Sequence, residues 1–338
     1  MVQIELCSNK EIINLQKFIN NHWKSNHILS KNITLLNWMY KRCEGLNFLL
    51  AKKNKKIIGI LGFIKNSNFN NNDFIRDIIW LALWKVVEEK AYPGLGIIML
   101  KKLEKINPNI DIAVLGINKS LPPVFSALKY YSATMEHYYI VNPKVKNFSI
   151  INIDRKNKIP YPKLPKHKII YKRIYRKELL SGNYNYYSNN FTCYKSSAFF
   201  INKYLDHPIY KYKIFHIENS SRQFALIVIR KISINNTNVI RIVDFEGDEA
   251  LIAYIGGFLL NLLDSENAEY IDFLQYGINK SYFFDAGFKL LNYNQRDIVP
   301  NYFEPFVKEN INLLFAYKTQ PSNNIRIFKA DGDQDRPN

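Results

Sequence analysis

The segment "AYPGLGIIMLKKL" sets two glycines, Gly94 and Gly96, one residue apart at the start of an amphipathic run. Glycine lets a backbone approach an anion closely, and the unpaired N–H groups of a first helical turn point at it. That pattern suits a phosphate or pyrophosphate. A second segment, "DFEGDEALI", brings Asp244, Glu246, Asp248 and Glu249 to a helix start with a single glycine. Acids suit a helix N-terminus, and Asp248 is placed to be an N-cap. The same charges repel a pyrophosphate and would instead hold a cationic amine or a sugar hydroxyl. Other groups able to take a proton are His27, Asp77, Glu88 and His207, which precedes Pro208 as a helix-capping residue would. Asp244 ends an apolar strand, where a carboxylate sits at the mouth of a sheet. It ranks first as a general base, ahead of His27 and Glu246.

Hydrophobic periodicity supplies the elements that must position these groups. Helical patterns at 9–23 and 34–43 precede two apolar runs, "NFLLAKK" and "KIIGILGFI", which the turn "KNKK" joins as a hairpin. A long strand, "DIIWLALWKVV", leads into the glycine loop and a helix. "DIAVLGI" is a further strand, "PPVFSALKYY" a helix with Pro122 and Pro123 at its start, and "MEHYYIV" a closing strand. Residues 146–170 are basic and punctuated by proline, and read as a connector laid over the surface. The second half repeats the order: helix, hairpin, strand, a helix over "DEALIAYIGGFLLNLL", the strand "EYIDFLQYGI", and a short helix. The pentapeptide Gly-Ile-Asn-Lys-Ser occurs at 116–120 and again at 277–281, each time between a strand end and the last helix. The matched order around it indicates an internal duplication.

The order hairpin, long strand, glycine loop, helix, strand, asparagine turn, helix, strand resembles the GNAT superfamily of acyl-CoA-dependent N-acyltransferases. The family loop is Arg/Gln-x-x-Gly-x-Gly/Ala; Gly94 and Gly96 match it, whereas Ala91 stands at the Arg/Gln position and Lys90 precedes it. The resemblance implies that Tyr92, Gly94, Leu95 and Gly96 cradle the pyrophosphate. It implies that the backbone of Leu83, Trp84, Lys85 and Val86 holds the pantetheine arm, with Asn118 nearby. The family's tyrosine general acid is replaced by Phe125 in the first half and Phe283 in the second. Its Gly-Phe pair is Lys129-Tyr130 in the first half but is present as Gly287-Phe288 in the second, after Asn279. Tyr130 and Tyr131 are the remaining hydroxyl donors nearby. A missing acid is tolerable, because a CoA thiol with a pKa near about 8.5 can leave as thiolate.

The expected fold is therefore α/β (α+β), two tandem GNAT-like domains, each a mixed, mostly antiparallel sheet flanked by helices. Residues 1–145 form the acyl-CoA-binding domain and 146–170 a linker. Residues 171–338 form a degenerate, substrate-binding copy with an acidic tail. Stretches such as "YLDHPIYKYKIF", "RIVDFEGD" and the ending "KADGDQDRPN" resemble bacterial tandem-GNAT proteins encoded with surface-polysaccharide genes. That subgroup implies N-acylation of a nucleotide-linked (dTDP or UDP) amino sugar. Acyl-CoA would be a co-substrate and no cofactor permanently bound, with His207 and Arg336 as contacts to the acceptor. A sugar amine should titrate no higher than an α-amino group, about 7.7–8.0, so a modest base suffices. A backbone N–H around Trp84 or Val86 would serve the oxyanion.

Composition narrows the other classes. The chain has 338 residues, 47% apolar, enough for two packed domains. No membrane-spanning apolar run or export signal is visible, and Cys7, Cys43 and Cys193 have neither metal nor disulfide spacing. These features point to a cytoplasmic protein. The formal charge of +18 attracts small phosphorylated ligands, while no nucleic-acid-binding motif accompanies it. Two competing readings are a tandem-GNAT transferase using aminoacyl-tRNA and a non-enzymatic nucleic-acid or membrane-surface module. The tail alternates Asp331, Asp333 and Asp335 but lacks the sixth-position glycine and twelfth-position glutamate of a calcium loop, so no metal is expected. It reads as a solubilising extension with Arg336 as a phosphate contact.

Overall fold

The computed structural model describes residues 1–70, 77–87, 92–153, 160–163, 165, 168–182, 184, 195–234, 236–320 and 324–337. Glu88, Lys90, Ala91 and Cys193 lie outside the described residues.

Two mixed sheets carry the chain. The first runs in the order Gln3–Cys7, Gly45–Lys53, Lys56–Lys65, Ile78–Val86, Asp111–Leu115, Leu314–Lys318, Tyr131–Thr134. The second runs Lys289–Leu290, Glu136–Val141, Ala268–Tyr276, Thr237–Gly247, Phe224–Ile234, Tyr212–Asn219, Ile169–Ile174. Each contains one parallel pair, at the point where a helix crosses over: Ile78–Val86 with Asp111–Leu115, and Thr237–Gly247 with Ala268–Tyr276. The hairpins and crossover helices expected from periodicity are present in both halves, and the fold is the expected mixed α/β arrangement of two helix-flanked sheets.

The sheets cut across the expected division near 145. Glu136–Val141, expected to close the first sheet, pairs with Ala268–Tyr276 in the second. Leu314–Lys318 returns to the first sheet between Asp111–Leu115 and Tyr131–Thr134. Each half thus completes the other. An alternating strand pattern specifies which face is buried, not which sheet supplies the partner.

One core cluster joins the halves, with Leu50, Trp80 and Phe315 packed among Phe199, Tyr204, Val228 and Val243. At about 1.5–3 kcal/mol per fully buried large side chain, this shared core couples the two sheets in one folding unit. The helix Leu95–Ile106 buries Leu95, Met99, Leu100 and Leu103 against the first sheet. Its counterpart departs from expectation: residues 249–265 form a 3₁₀ turn, Glu249–Tyr254, and then the helix Gly256–Ser265. The break falls at Gly256, where a Cβ would lie 2.1 Å from the Ala286 carbonyl oxygen. Close packing, not propensity, decides that break.

Both halves also run a helix directly into a π turn, Ile12–Phe18 into Ile19–Trp23 and Ser197–Phe200 into Ile201–Leu205. Both pentapeptides adopt one turn, in which Gly116 and Gly277 have φ of +82° and +98°. Asn118 and Asn279 each accept from a serine N–H two residues on, at 3.1 and 3.0 Å. The repeated sequence is therefore a repeated backbone solution: a left-handed glycine followed by an asparagine turn, which also caps a helix at Asn279 but not at Asn118.

The connector is not laid over the surface throughout. Ile150 and Ile151 are buried, and the Glu269 carboxylate accepts from the N–H groups of Ile150 and Ile151 at 2.9 and 3.1 Å. Residues 154–159 lie outside the described residues, and the second sheet's edge strand begins at Ile169, inside the expected linker. No helix among the described residues is long and apolar enough to cross a membrane.

Candidate functional site

The first parallel pair holds its register only from Ile78–Asp111 to Leu81–Val114. Beyond Leu81 the two strands diverge, while Ile78–Val86 stays paired to Lys56–Lys65 through Val86–Gly59. The divergence opens a cavity of about 620 Å³. Its apolar walls come from Leu83, Trp84, Ile117, Leu121 and Phe125, and its mouth lies at Tyr92 to Ile97. Val87 N–H bonds inward to the Ile58 carbonyl, so strand alternation turns the N–H groups of Val86 and Trp84 toward the open edge. The cavity is a slot with one wall of unpaired peptide groups.

At the mouth, Gly94 has φ +75° and caps the helix Leu95–Ile106. Nothing lies within 4 Å of where its Cβ would be, so the approach is open. Leu95 N–H bonds to Tyr92 O and Ile98 N–H to Gly94 O. The N–H groups between them, of Gly96 and Ile97, belong to the first turn and have no in-helix acceptor. A Cβ at Gly96 would lie 3.1 Å from Trp84 Nε1, so that glycine lets the indole seat on the helix start. All nine residues expected to bind the cofactor, Leu83, Trp84, Lys85, Val86, Tyr92, Gly94, Leu95, Gly96 and Asn118, line this one cavity.

The second parallel pair also diverges, after Ile242–Phe273, but its slot is filled by the chain's own tail. Ile327 and Phe328 pair with Tyr276 and Gln275, and Ala330 N–H bonds to Val243 O. The acidic loop is closed as well. Asp248 accepts from Ala250 N–H as the N-cap of its turn, and Gly247 at φ +118° packs on the Phe224 carbonyl. The cation that this loop holds is Arg326, which contacts Glu249 at 3.2 Å and the Gly247 carbonyl at 3.2 Å.

The tail then crosses to the first slot. Gln334 Nε2 donates to the Leu115 carbonyl at 3.0 Å, and Asp333, Gln334 and Arg336 line the inner end of the cavity. This corrects the reading of a solubilising extension: Asp331, Asp333 and Asp335 are buried. Asp335 accepts from Arg230 at 2.7 Å and Tyr212 at 2.8 Å, while Arg336 Nε donates to Asp333 at 3.0 Å. Residue types gave little warning, because alternating aspartates are usual in solvated tails. Asp333 is absent from the bases expected on sequence grounds. It lines the cavity and also two smaller pockets beside it.

The expected bases lie elsewhere. Asp244 is fully buried, bonded to Lys195, to Tyr204 Oη and to Phe245 N–H, and does not line the cavity. The strand's outer end, which would have put it at a sheet mouth, is covered by the tail. Glu246 is buried beside it and also remote from the cavity; desolvation pushes its pKa up to about 8. The folded state therefore binds a proton more tightly than the unfolded chain, and stability falls as pH rises from about 4.5 to 8. Glu246→Gln is expected to flatten that decline, by on the order of 3 kcal/mol at pH 9 relative to pH 5. Urea denaturation at the two pH values measures it.

His27 is buried and does not line the cavity. Its Nδ1 faces Leu29 N–H at 3.2 Å and its Nε2 faces Arg336 Nη1 at 2.8 Å. Both neighbours are donors, so the neutral ring satisfies only one. Burial, and next Arg336, lower its pKa to about 4. His27 thus buttresses Arg336 rather than reaching a substrate. His207 Nδ1 accepts from the Ile209 and Tyr210 N–H groups in a non-helical turn instead of capping the preceding helix, whose C-cap is Asp206, and it also lines a small pocket with Asp333 and Arg336. Tyr130 donates to Glu104 at 3.1 Å, and neither it nor the exposed Tyr131 lines the cavity. Asp77 bonds Ser67 and its own strand start.

No protein-family model matches the chain, and no curated protein matches it. Solved structures do. A GCN5-related N-acetyltransferase from Anabaena variabilis superposes with a TM-score of 0.53 at 12% identity, covering 93% of this chain and 72% of that one. A conserved Enterococcus faecalis protein of unknown function, described as a probable N-acyltransferase, superposes at 0.54 with 9% identity, covering 94% and 72%. At these identities the likeness shows the fold, and it extends over both halves.

Proposed function

We propose that the chain is an acyl-CoA-dependent N-acyltransferase whose acceptor is an amino group on a nucleotide-linked (dTDP or UDP) deoxy sugar, in surface-glycan synthesis. The observation that carries acyl transfer is the slot between Ile78–Val86 and Asp111–Leu115, which ends at the open glycine helix start. An extended amide-bearing arm laid along Ala82–Val86 would pair with the free peptide groups, as a strand does. Its pyrophosphate would then meet the Gly96 and Ile97 N–H groups. The neighbours' N-acetyltransferase and N-acyltransferase descriptions support the same chemistry. The sugar reading is supported by Arg336 beside the inner end of the slot and by the +18 charge.

In this reading the acceptor amine attacks the thioester carbon, forming the C–N bond. The Val86 or Trp84 N–H holds the oxyanion. The amine's proton passes to the Asp333 carboxylate, and collapse of the intermediate breaks the C–S bond and releases CoA thiolate. Asp333 replaces Asp244, His27 and Glu246 in that role because it alone among them faces the cavity. Isothermal titration with CoA, followed by thiol release from acetyl-CoA over dTDP- and UDP-linked amino sugars, tests the reading. Absence of CoA binding would overturn it. Gly94→Val puts a β-branched residue at φ +75° and a side chain into the open approach. It is expected to weaken CoA at least tenfold in the same titration.

A further inference from the structure

Beside the slot, on the far side of the tail, lies a pocket of about 70 Å³ formed by Arg230, Arg241, Asn301, Lys329, Asp335 and their neighbours. By that measure it holds about five waters, the room of one small ionic group. The linings of the two chambers share Asp333, Gln334 and Arg336, so this stretch of the tail separates them.

Charge pairing in this pocket is incomplete. Arg241 is bound to Asp272 at 2.9 Å, and Arg230 to Asp335 at 2.7 Å. Arg230 Nε has no hydrogen-bond partner. Lys329 is 5% exposed and has no hydrogen bond or ion pair among the described residues, yet it lines the same pocket as these two guanidiniums. Asp335 and Asp272 favour the Lys329 ammonium and Arg241 and Arg230 oppose it, but no acceptor bonds it directly, so its burial costs folding energy that no direct contact returns. Such a group is retained where something outside the fold pairs with it. Rings wall the site, with Arg230 stacked 3.9 Å from the centre of Tyr210 and Arg241 4.9 Å from that of Phe303.

We infer that this pocket binds a negatively charged group of the acceptor, a phosphate or a carboxylate, through Lys329 and Arg230, and so places the acceptor's amine at Asp333. The acceptor role rests on the acyl-transfer reading; the anion site itself does not. Burial, and then Arg241, hold the pKa of Lys329 down to about 7. Arg230 and Arg241 stay charged, Asp272 and Asp335 are held low by those arginines, and Glu304, Asp333 and Arg336 complete the charged lining. A bound anion would therefore keep a proton on Lys329.

Sulfate is a suitable probe because its charge is constant from pH 6 to 9, with acetate as the carboxylate counterpart. Thermal-shift titration of the full chain should show saturable stabilisation by one of them. Its affinity should fall at least tenfold between pH 7 and pH 9, and at least tenfold at pH 7 in Lys329→Met. Sulfate binding tighter than acetate indicates a phosphorylated acceptor, and the reverse a carboxylate. The Met variant should melt higher than the parent without ligand, since it removes a buried unpaired charge; a structural lysine would give the opposite. CoA affinity should be unchanged in it. Failure of both anions to bind, or binding indifferent to Lys329→Met, overturns the site. Failure of CoA to bind with sulfate binding intact removes acyl transfer and leaves the anion pocket standing.

Discussion

A chain ended after Ala330 is expected to lose acyl transfer to below detection and to be destabilised by at least about 3–5 kcal/mol. The truncation removes Asp335, the partner of Arg230 and Tyr212, and leaves a guanidinium 7% exposed with Glu304 at 3.8 Å as its remaining carboxylate. It removes Gln334 from the Leu115 carbonyl, so the inner end of the slot loses its wall. It also removes Asp333, the proposed base, and Arg336. Ile327 and Phe328 remain opposite Tyr276 and Gln275, but Phe328 N–H and Lys195 both lose Asp331. Thermal melting and a thiol-release assay on the shortened chain measure the two effects. Full activity in a chain lacking these residues would contradict both the wall and the base.

Asp333→Asn is expected to lower kcat about 10²–10⁴-fold with CoA affinity unchanged. The amide keeps one oxygen to accept from Arg336 Nε, now at 3.0 Å from the carboxylate, so the tail should stay seated. What is lost is the ability to take the amine's proton. A base acting on a free amine should give activity that rises with pH and levels off once the amine is neutral, near about 8. In the Asn variant the residual rate should depend more steeply on pH, because hydroxide must do the work. A fall in kcat of less than threefold would move the base elsewhere on the slot. Asp244 and Glu246 would still be poor candidates, being closed off by Lys195, Tyr204 and the tail.

Much of the site was legible before the fold. Gly94 and Gly96 need their residue type for local reasons, a left-handed φ and an indole packed on the helix start, and local reasons are what a sequence displays. The strand Ile78–Val86 announced itself by length and apolar content. The acidic character of the second loop was equally plain, and with it the expectation that its charges repel a pyrophosphate. Its partner was not: Arg326 lies far along the chain from Glu249, and nothing in either segment names the other. The same limit explains Asp244. An acid at a strand end reads as a mouth residue until something is known to lie over the mouth.

Local chemistry, then, was determined by the sequence alone: two copies of one order of elements, one glycine loop fit for an anion, and one turn, Gly-Ile-Asn-Lys-Ser, used twice for its backbone. These depend on φ, on capping and on the period of apolar residues, all set by near neighbours. Tertiary structure alone decided which strands each sheet owns, that the last residues fill one slot and wall the other, and that Asp333 and Lys329 line cavities while Asp244 faces Lys195. Those outcomes rest on contacts between segments distant in the chain, where burial and charge pairing choose among partners that the sequence leaves equivalent.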